Sequence, residues 1–217
     1  MSANPKNRGK LISFFIAFTL VIITTFFVNR NKKEGEQISG RIAGIDKKME
    51  ASLSLYLLAK SDFSYAMLYH TLGLLHKENG HSFNTVFLPY GDAFIRGIRS
   101  INEAIGENEG RVDEEKIAML ENGFKTAANR NNLDDFFKTF NDAGSIVAGL
   151  NYAYKTNTNK LGNDKLSLKA QRAALEVRAS LLTWIAAIIG FVQLFFNSFY
   201  DMYLDYKKNK NSTPKNS

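Results

Sequence analysis

The residues with the most chemical reach in this chain are three histidines, two acidic runs and one pair of arginines. His70, His76 and His81 are the only imidazoles, and no two lie four apart on a helix. The chain has no cysteine and no H-E-x-x-H pattern, so no recognisable zinc motif is present. No metal site is expected, and disulfide and thiolate chemistry are excluded. His70 falls on an apolar seam and reads as a hydrogen-bonded interior residue. His76 and His81 flank a turn, where simple surface histidines and a weak metal or pH-sensing site are the two readings. Asp113-Glu114-Glu115 and Asp134-Asp135 each open a predicted helix, where negative charge meets the positive end of the helix dipole. Nothing in their setting suggests the burial that would tune a carboxyl for acid–base work. Phosphate-cradling loops, dinucleotide fingerprints and nucleophile elbows are absent, so neither a cofactor nor an enzyme is expected.

Arg96 and Arg99 are three apart on one predicted helix, next to Phe87 and Tyr90 in the irregular stretch 82–91. Guanidinium groups beside aromatic rings can bind a carboxylate ligand or a partner's acidic patch. These four residues are the candidate ligand site, with a solvated basic face as the plainer alternative.

The elements that must position these groups are set by two uncharged apolar runs. One covers 18 residues, 11–28, and the other 20 residues, 181–200. About 20 apolar residues in a helix cross the ~30 Å core of a bilayer. Only helices and closed barrels satisfy their backbone there. The first run exceeds a cleaved signal peptide's core and lacks a small-residue site after it, so it reads as an uncleaved signal anchor.

Charge orients the two runs. The net charge is +7. Residues 1–10 carry Lys6, Arg8 and Lys10 without an acid. Residues 205–217 carry Lys207, Lys208, Lys210 and Lys215 against Asp205. Short basic flanks stay inside. The expectation is a cytoplasmic tail at 1–10, membrane helix 11–28, extracytoplasmic domain 29–180, membrane helix 181–200 and cytoplasmic tail 201–217. Arg30, Lys32, Lys33 and Arg178 oppose it. Anionic headgroups explain the basic tails more simply than nucleic acid does.

The middle segment reads as helices with a 3.5-residue rhythm. Ile38, Ile42, Ile45, Met49, Ser52, Tyr56, Lys60, Phe63, Met67 and His70 form the first seam, with Leu53, Leu57 and Leu58 widening it. Gly35, Gly40 and Gly44 suggest a joint at its base. Pro89 and Gly91 act as breakers, with Thr85 to Leu88 the sole strand candidate and Asp92 a helix N-cap. Phe94, Ile98, Ile101 and Ile105 mark the next helix. Ile117, Leu120 and Phe124 mark a short one capped by Asp113. Phe136, Phe140, Ala143, Val147, Leu150 and Tyr154 mark another. A polar turn at 156–163 and a last helix from Asp164 complete the reading. The fold class is all-α: two transmembrane helices flanking an antiparallel helical bundle with coiled-coil-like long helices.

Along the second membrane run, Thr183, Ala186, Gly190, Gln193 and Asn197 share one side, and bulky residues take the other. Small and polar residues are the ordinary glue between membrane helices, so this stripe is the candidate packing surface. A water-lined path is the alternative.

The layout over residues 11–204 resembles, in architecture alone, the input half of four-helix-bundle chemoreceptors and sensor kinases. That resemblance implies a sensor-like role. The expected partners are the lipid bilayer, further copies of the chain and other membrane or envelope proteins, in a bacterial inner or plasma membrane. The expected function is a non-enzymatic sensor, adaptor or scaffold, with an oligomeric channel or membrane-permeabilising protein as the alternative.

Overall fold

The computed structural model describes residues 5–78, 84–106 and 110–211. All the elements among them are helices: α1 (Pro5–Glu78), α2 (Asn84–Ile105), α3 (Glu114–Asn129) and α4 (Leu133–Asn211). The chain divides into two compact units. One is Ile42–Leu166; the other combines Met1–Arg41 with Ser167–Ser217.

The 42–166 unit is a helical bundle around one core. Ala59 and Ala66 of α1, Ile98 and Ile101 of α2, Ile117 and Phe124 of α3, and Phe136 and Leu150 of α4 are buried together. Neighbouring helices run in opposite directions. As α1 advances through Asp46, Tyr56 and His70, its partners on α4 retreat through Lys165, Tyr154 and Phe137. The Tyr56 and Tyr154 rings stack 4.1 Å apart. Ser52 donates to the Ala104 carbonyl at 2.6 Å, while Phe63 meets Phe94.

The α1 seam differs from the expected one. Ala59 and Ala66 face the core, while Lys60 and Met67 stay outside. Alanine lets backbones approach, whereas an interior Lys60 would leave water without a partner. Its ammonium instead lies over the Tyr56 ring, 5.1 Å from the centroid. Leu53, Leu57 and Leu58 are half-exposed rather than additions to the core.

Three expected interruptions are absent. First, α2 starts at Asn84 and runs through Pro89 and Gly91. Asp92 is therefore inside the helix, and Thr85 to Leu88 is helical rather than extended. Proline costs one backbone donor and strains the turn before it. Burial of Phe87, Tyr90, Ala93 and Phe94 around it supplies compensation. Second, α4 continues through 156–163, so no turn separates it from Asp164. Polar residues there bond within the helix, as Thr158 Oγ1 does to the Tyr154 carbonyl at 2.9 Å. Third, α1 passes Gly35, Gly40 and Gly44 without a break. Each glycine costs about 1 kcal/mol of propensity, which a long helix absorbs.

The remaining turns have local causes. Gly106 and Gly110 take left-handed φ angles of 72° and 94°, which glycine reaches without a Cβ penalty. Buried Asn102 then clamps the chain: its Nδ2 donates to the Val112 carbonyl at 2.9 Å, and the Val112 N–H donates back to Oδ1 at 2.8 Å. Asp113 precedes α3 in extended conformation, but its side chain makes no capping bond. Asn132 does cap α4, its Oδ1 accepting from the N–H groups of Asp134 and Asp135 at 3.0 and 3.2 Å.

In the other unit the usual burial is inverted. Small Ala17 and Thr24 are covered, at 7 % and 8 % exposure, while Phe14, Phe15, Phe18 and Phe26 are more than half exposed. Thr24 Oγ1 satisfies itself against the Leu20 and Val21 carbonyls, 3.0 Å away in each case. On α4, Trp184, Leu194 and Phe195 are similarly exposed. The two segments run in opposite directions, since Ser13 to Leu20 share a crevice with Ile188 to Tyr200, and Val28 to Ser39 share another with Arg172 to Thr183.

Two glycines test the packing. A Cβ at Gly91 would lie 2.9 Å from Phe124 Cβ, close to a backbone that cannot easily yield, whereas one at Gly144 meets nothing within 4 Å. Gly91→Ala is expected to destabilise the protein by roughly 1–3 kcal/mol. Gly144→Ala is expected to stabilise it by about 0.5–1 kcal/mol. Thermal melts of the two variants in detergent check the opposite signs.

Candidate functional site

The four residues of the expected ligand site do not converge. Phe87 and Tyr90 turn inward and are 3 % and 1 % exposed. Arg96 and Arg99 turn outward onto carboxylates. Arg96 Nε donates to Asp62 at 3.3 Å, tying α2 to α1. Arg99 reaches Glu114 and Glu121, each at 2.8 Å, tying α2 to α3. Lys125 adds a 2.6 Å bond to Glu121. Both guanidinium groups are thus engaged in ion pairs between helices. α2 carries these rings on one face and these charges on another, because helical rotation separates them.

The charges act on one another. The hydrogen bond from Lys125, then that from Arg99, holds the Glu121 carboxyl below the usual carboxylate range. A depressed carboxyl pKa stabilises the fold above the unfolded value of about 4.3. The contribution is lost as pH falls through the folded value. Arg99 and Lys125 are exposed and Glu121 partly so, so solvent screens the pairs and they add little stability.

Tyr90 sits among the rings of His70, Phe94, Phe124, Phe136 and Phe140, at centroid distances of 5.9, 6.0, 6.2, 5.4 and 5.9 Å. Burial pushes its phenol well above its ordinary pKa, so it stays neutral. Its hydroxyl meets no hydrogen-bond partner among the described residues. His70 is half-buried at the edge of this cluster. The side chain of His76, and His81 altogether, lie outside the described residues. Among the described residues no group of three acidic or imidazole side chains is placed to hold a metal.

A groove of about 680 Å³ opens between α3 and α4. Leu120, Ile146 and Leu150 line it with Gly123 and Gly149, and Lys116 and Asp142 add one charge of each sign. No motif points to it, because its residues come from two helices at unremarkable spacing.

On α4 the stripe divides. Thr183 is exposed and bonds back to the Ala179 carbonyl at 2.9 Å. Ala186, Gly190 and Gln193 are half-buried, and Asn197's side chain lies outside the described residues. Gln193 lines the crevice of about 580 Å³ shared with Ser13, Ala17 and Leu20. A Cβ at Gly190 would meet nothing within 4 Å. The close approach is instead made from α1, through Ala17 and Thr24. Their seven-residue spacing among bulky neighbours is the sequence signal that locates them.

No family model, curated protein or solved structure matches this chain.

Replacing Tyr90 by Phe removes an unpaired hydroxyl and keeps the ring, so stability is expected to hold or rise by about 1 kcal/mol. Asn102→Ala removes both bonds to Val112 from a buried site and is expected to cost about 2–3 kcal/mol. Arg99→Ala is expected to cost under about 1 kcal/mol at pH 7. That cost should vanish below the lowered Glu121 pKa. Denaturant titrations at neutral and acid pH distinguish the three.

Proposed function

We propose that the chain is a two-pass membrane protein whose bundle, residues 29–180, stands outside the cytoplasm and binds a ligand or partner protein. In this reading it serves as a non-enzymatic sensor, adaptor or scaffold in an envelope complex, with both termini cytoplasmic.

The observation that carries the reading is the inverted burial of the apolar stretches 13–28 and 181–203. The structure holds two helices long and apolar enough to cross a membrane, and their apolar windows are almost wholly exposed. In water each large apolar side chain left exposed forfeits about 1.5–3 kcal/mol. In hydrocarbon the same exposure carries no such cost, and small or polar residues make the helix contact. The 42–166 unit buries rings and isoleucines in one core and keeps charge pairs outside, with a row of half-exposed leucines left on α1. One chain thus carries two burial patterns suited to two solvents. The basic flanks at 1–10 and 205–217 support the orientation. The α3–α4 groove supports binding by the bundle, having an apolar floor and accessible charge of both signs.

The absence of cysteine makes orientation directly measurable. Single cysteines at exposed Lys116 and at Ser212 are to be treated in intact cells with a membrane-impermeant maleimide. Labelling of Lys116→Cys alone is the expected result. Labelling of Ser212→Cys alone inverts the topology and removes the sensor reading. Recovery of the protein in the soluble fraction after carbonate washing sinks the membrane assignment itself.

A further inference from the structure

α1 carries a second apolar seam on the side of the helix away from the bundle core. Ser54, Leu58, Ser61, Tyr65, Leu68 and Leu72 follow one another at 4-3-4-3-4 spacing, with Leu57 and Ser64 beside them. Each lies two residues beyond a position of the core seam 52, 56, 59, 63, 66, 70. Two residues turn a helix by about 200°, so the two seams face opposite ways. Leu57, Leu58, Tyr65 and Leu68 are 53–56 % exposed and Leu72 is 37 % exposed. Inside the same unit, the core seam is covered by α2 and α4.

We propose that this outer seam is an interface that pairs, in parallel, with the same seam of a second copy of the chain. The first argument is its period. A 3.5-residue repeat matches another helix, whose own repeat meets it turn after turn. The second is charge. Between residues 51 and 72 the charged side chains are Lys60 and Asp62. Lys60 lies over the Tyr56 ring, and Asp62 is bonded to Arg96. Pairing the seam with itself therefore opposes no like charges, and the surface offers no charge by which to select a different partner. The third is area. Five large and three small side chains, partly exposed, present on the order of 500 Å² per copy, or about 1,000 Å² per pair when wholly covered, the lower bound for a biological interface.

The parallel direction rests on the two-pass reading above. Copies that cross one membrane in the same sense hold α1 in the same sense, and confinement to the bilayer raises their effective concentration. Residue then meets its own counterpart: Leu58 with Leu58, Ser61 with Ser61, Leu68 with Leu68.

The test uses the full chain in its native membrane. Ser54→Cys and Ser61→Cys fall on the seam, and exposed Tyr152→Cys on α4 is the control. Mild oxidation followed by non-reducing electrophoresis reads the disulfide, which requires Cα atoms about 4.4–6.8 Å apart. Both seam variants are expected to convert to a species of doubled mass while Tyr152→Cys does not. Adding Leu68→Glu is expected to abolish that conversion and halve the mass in detergent while leaving a helical, cooperatively melting monomer, because Leu68 is outside the core. A membrane-bound chain in which neither seam variant cross-links above the control overturns the proposal. So does cross-linking of Ser61→Cys without Ser54→Cys, which marks an antiparallel pair. Cross-linking of both seam variants in protein recovered from the soluble fraction keeps the interface and sinks only the membrane reading.

Discussion

A helix closes its own backbone hydrogen bonds, and that closure holds in any medium. The rest of this structure depends on it. Both long helices change the character of their exposed surface along their length while their backbone bonding stays the same. In α1 the exposed surface is phenylalanine and isoleucine in the first run, lysine and glutamate between residues 32 and 50, and leucine with serine beyond. A sheet could not make that change, because its edges would need partners in each medium. The side chains alone then decide what surrounds each stretch, and the proposed membrane reading follows from which of them are left uncovered.

Packing in the bundle rests on a few dense contacts. Rings of α1, α2, α3 and α4 crowd around Tyr90 and Phe136, and two glycines admit them. Gly91 makes room for Phe124, and Gly97 makes room for Phe63, whose ring would sit 2.6 Å from an added Cβ. The ion pairs on the outside link the same helices but add little stability in water. They set which faces meet, with Arg96 choosing α1 and Arg99 choosing α3. The ion pairs bridge the helices that the buried rings hold together.

Much of this was legible in the residues themselves. The seams Phe94–Ile98–Ile101–Ile105, Ile117–Leu120–Phe124 and the buried α4 positions Phe136, Ala143 and Leu150 follow from apolar period alone, because burial needs one face per helix. The two uncharged runs were legible for the same reason. The misreadings came from local rules overruled by tertiary context. Pro89 and Gly91 carry turn propensity, but the rings beside them gain more from helical burial. The polar stretch 156–163 has no apolar period, yet continuing α4 leaves no backbone group unpaired. The α1 seam was misplaced by one residue at Lys60 and Met67 because alanine was undervalued as a contact residue. The four residues of the candidate ligand site are close in sequence but not in space, since a 100° step per residue sends Tyr90 and Arg96 to different faces.

The clamp between Asn102 and Val112 has a bearing on the order in which contacts can form. Its partners are ten residues apart, and α2 and α3 touch across that short closure. Tyr56 and Tyr154 stack across nearly a hundred residues of intervening chain. Closing a loop costs entropy that grows with its length, so the α2–α3 hairpin is the cheapest piece of the bundle to assemble. The pairing of α1 with α4 bears the larger closure cost and, in a chain made from its N-terminus, waits for the last helix to emerge. Until then α1 holds its core-facing alanines and rings open to water, beside a hairpin that already has its shape.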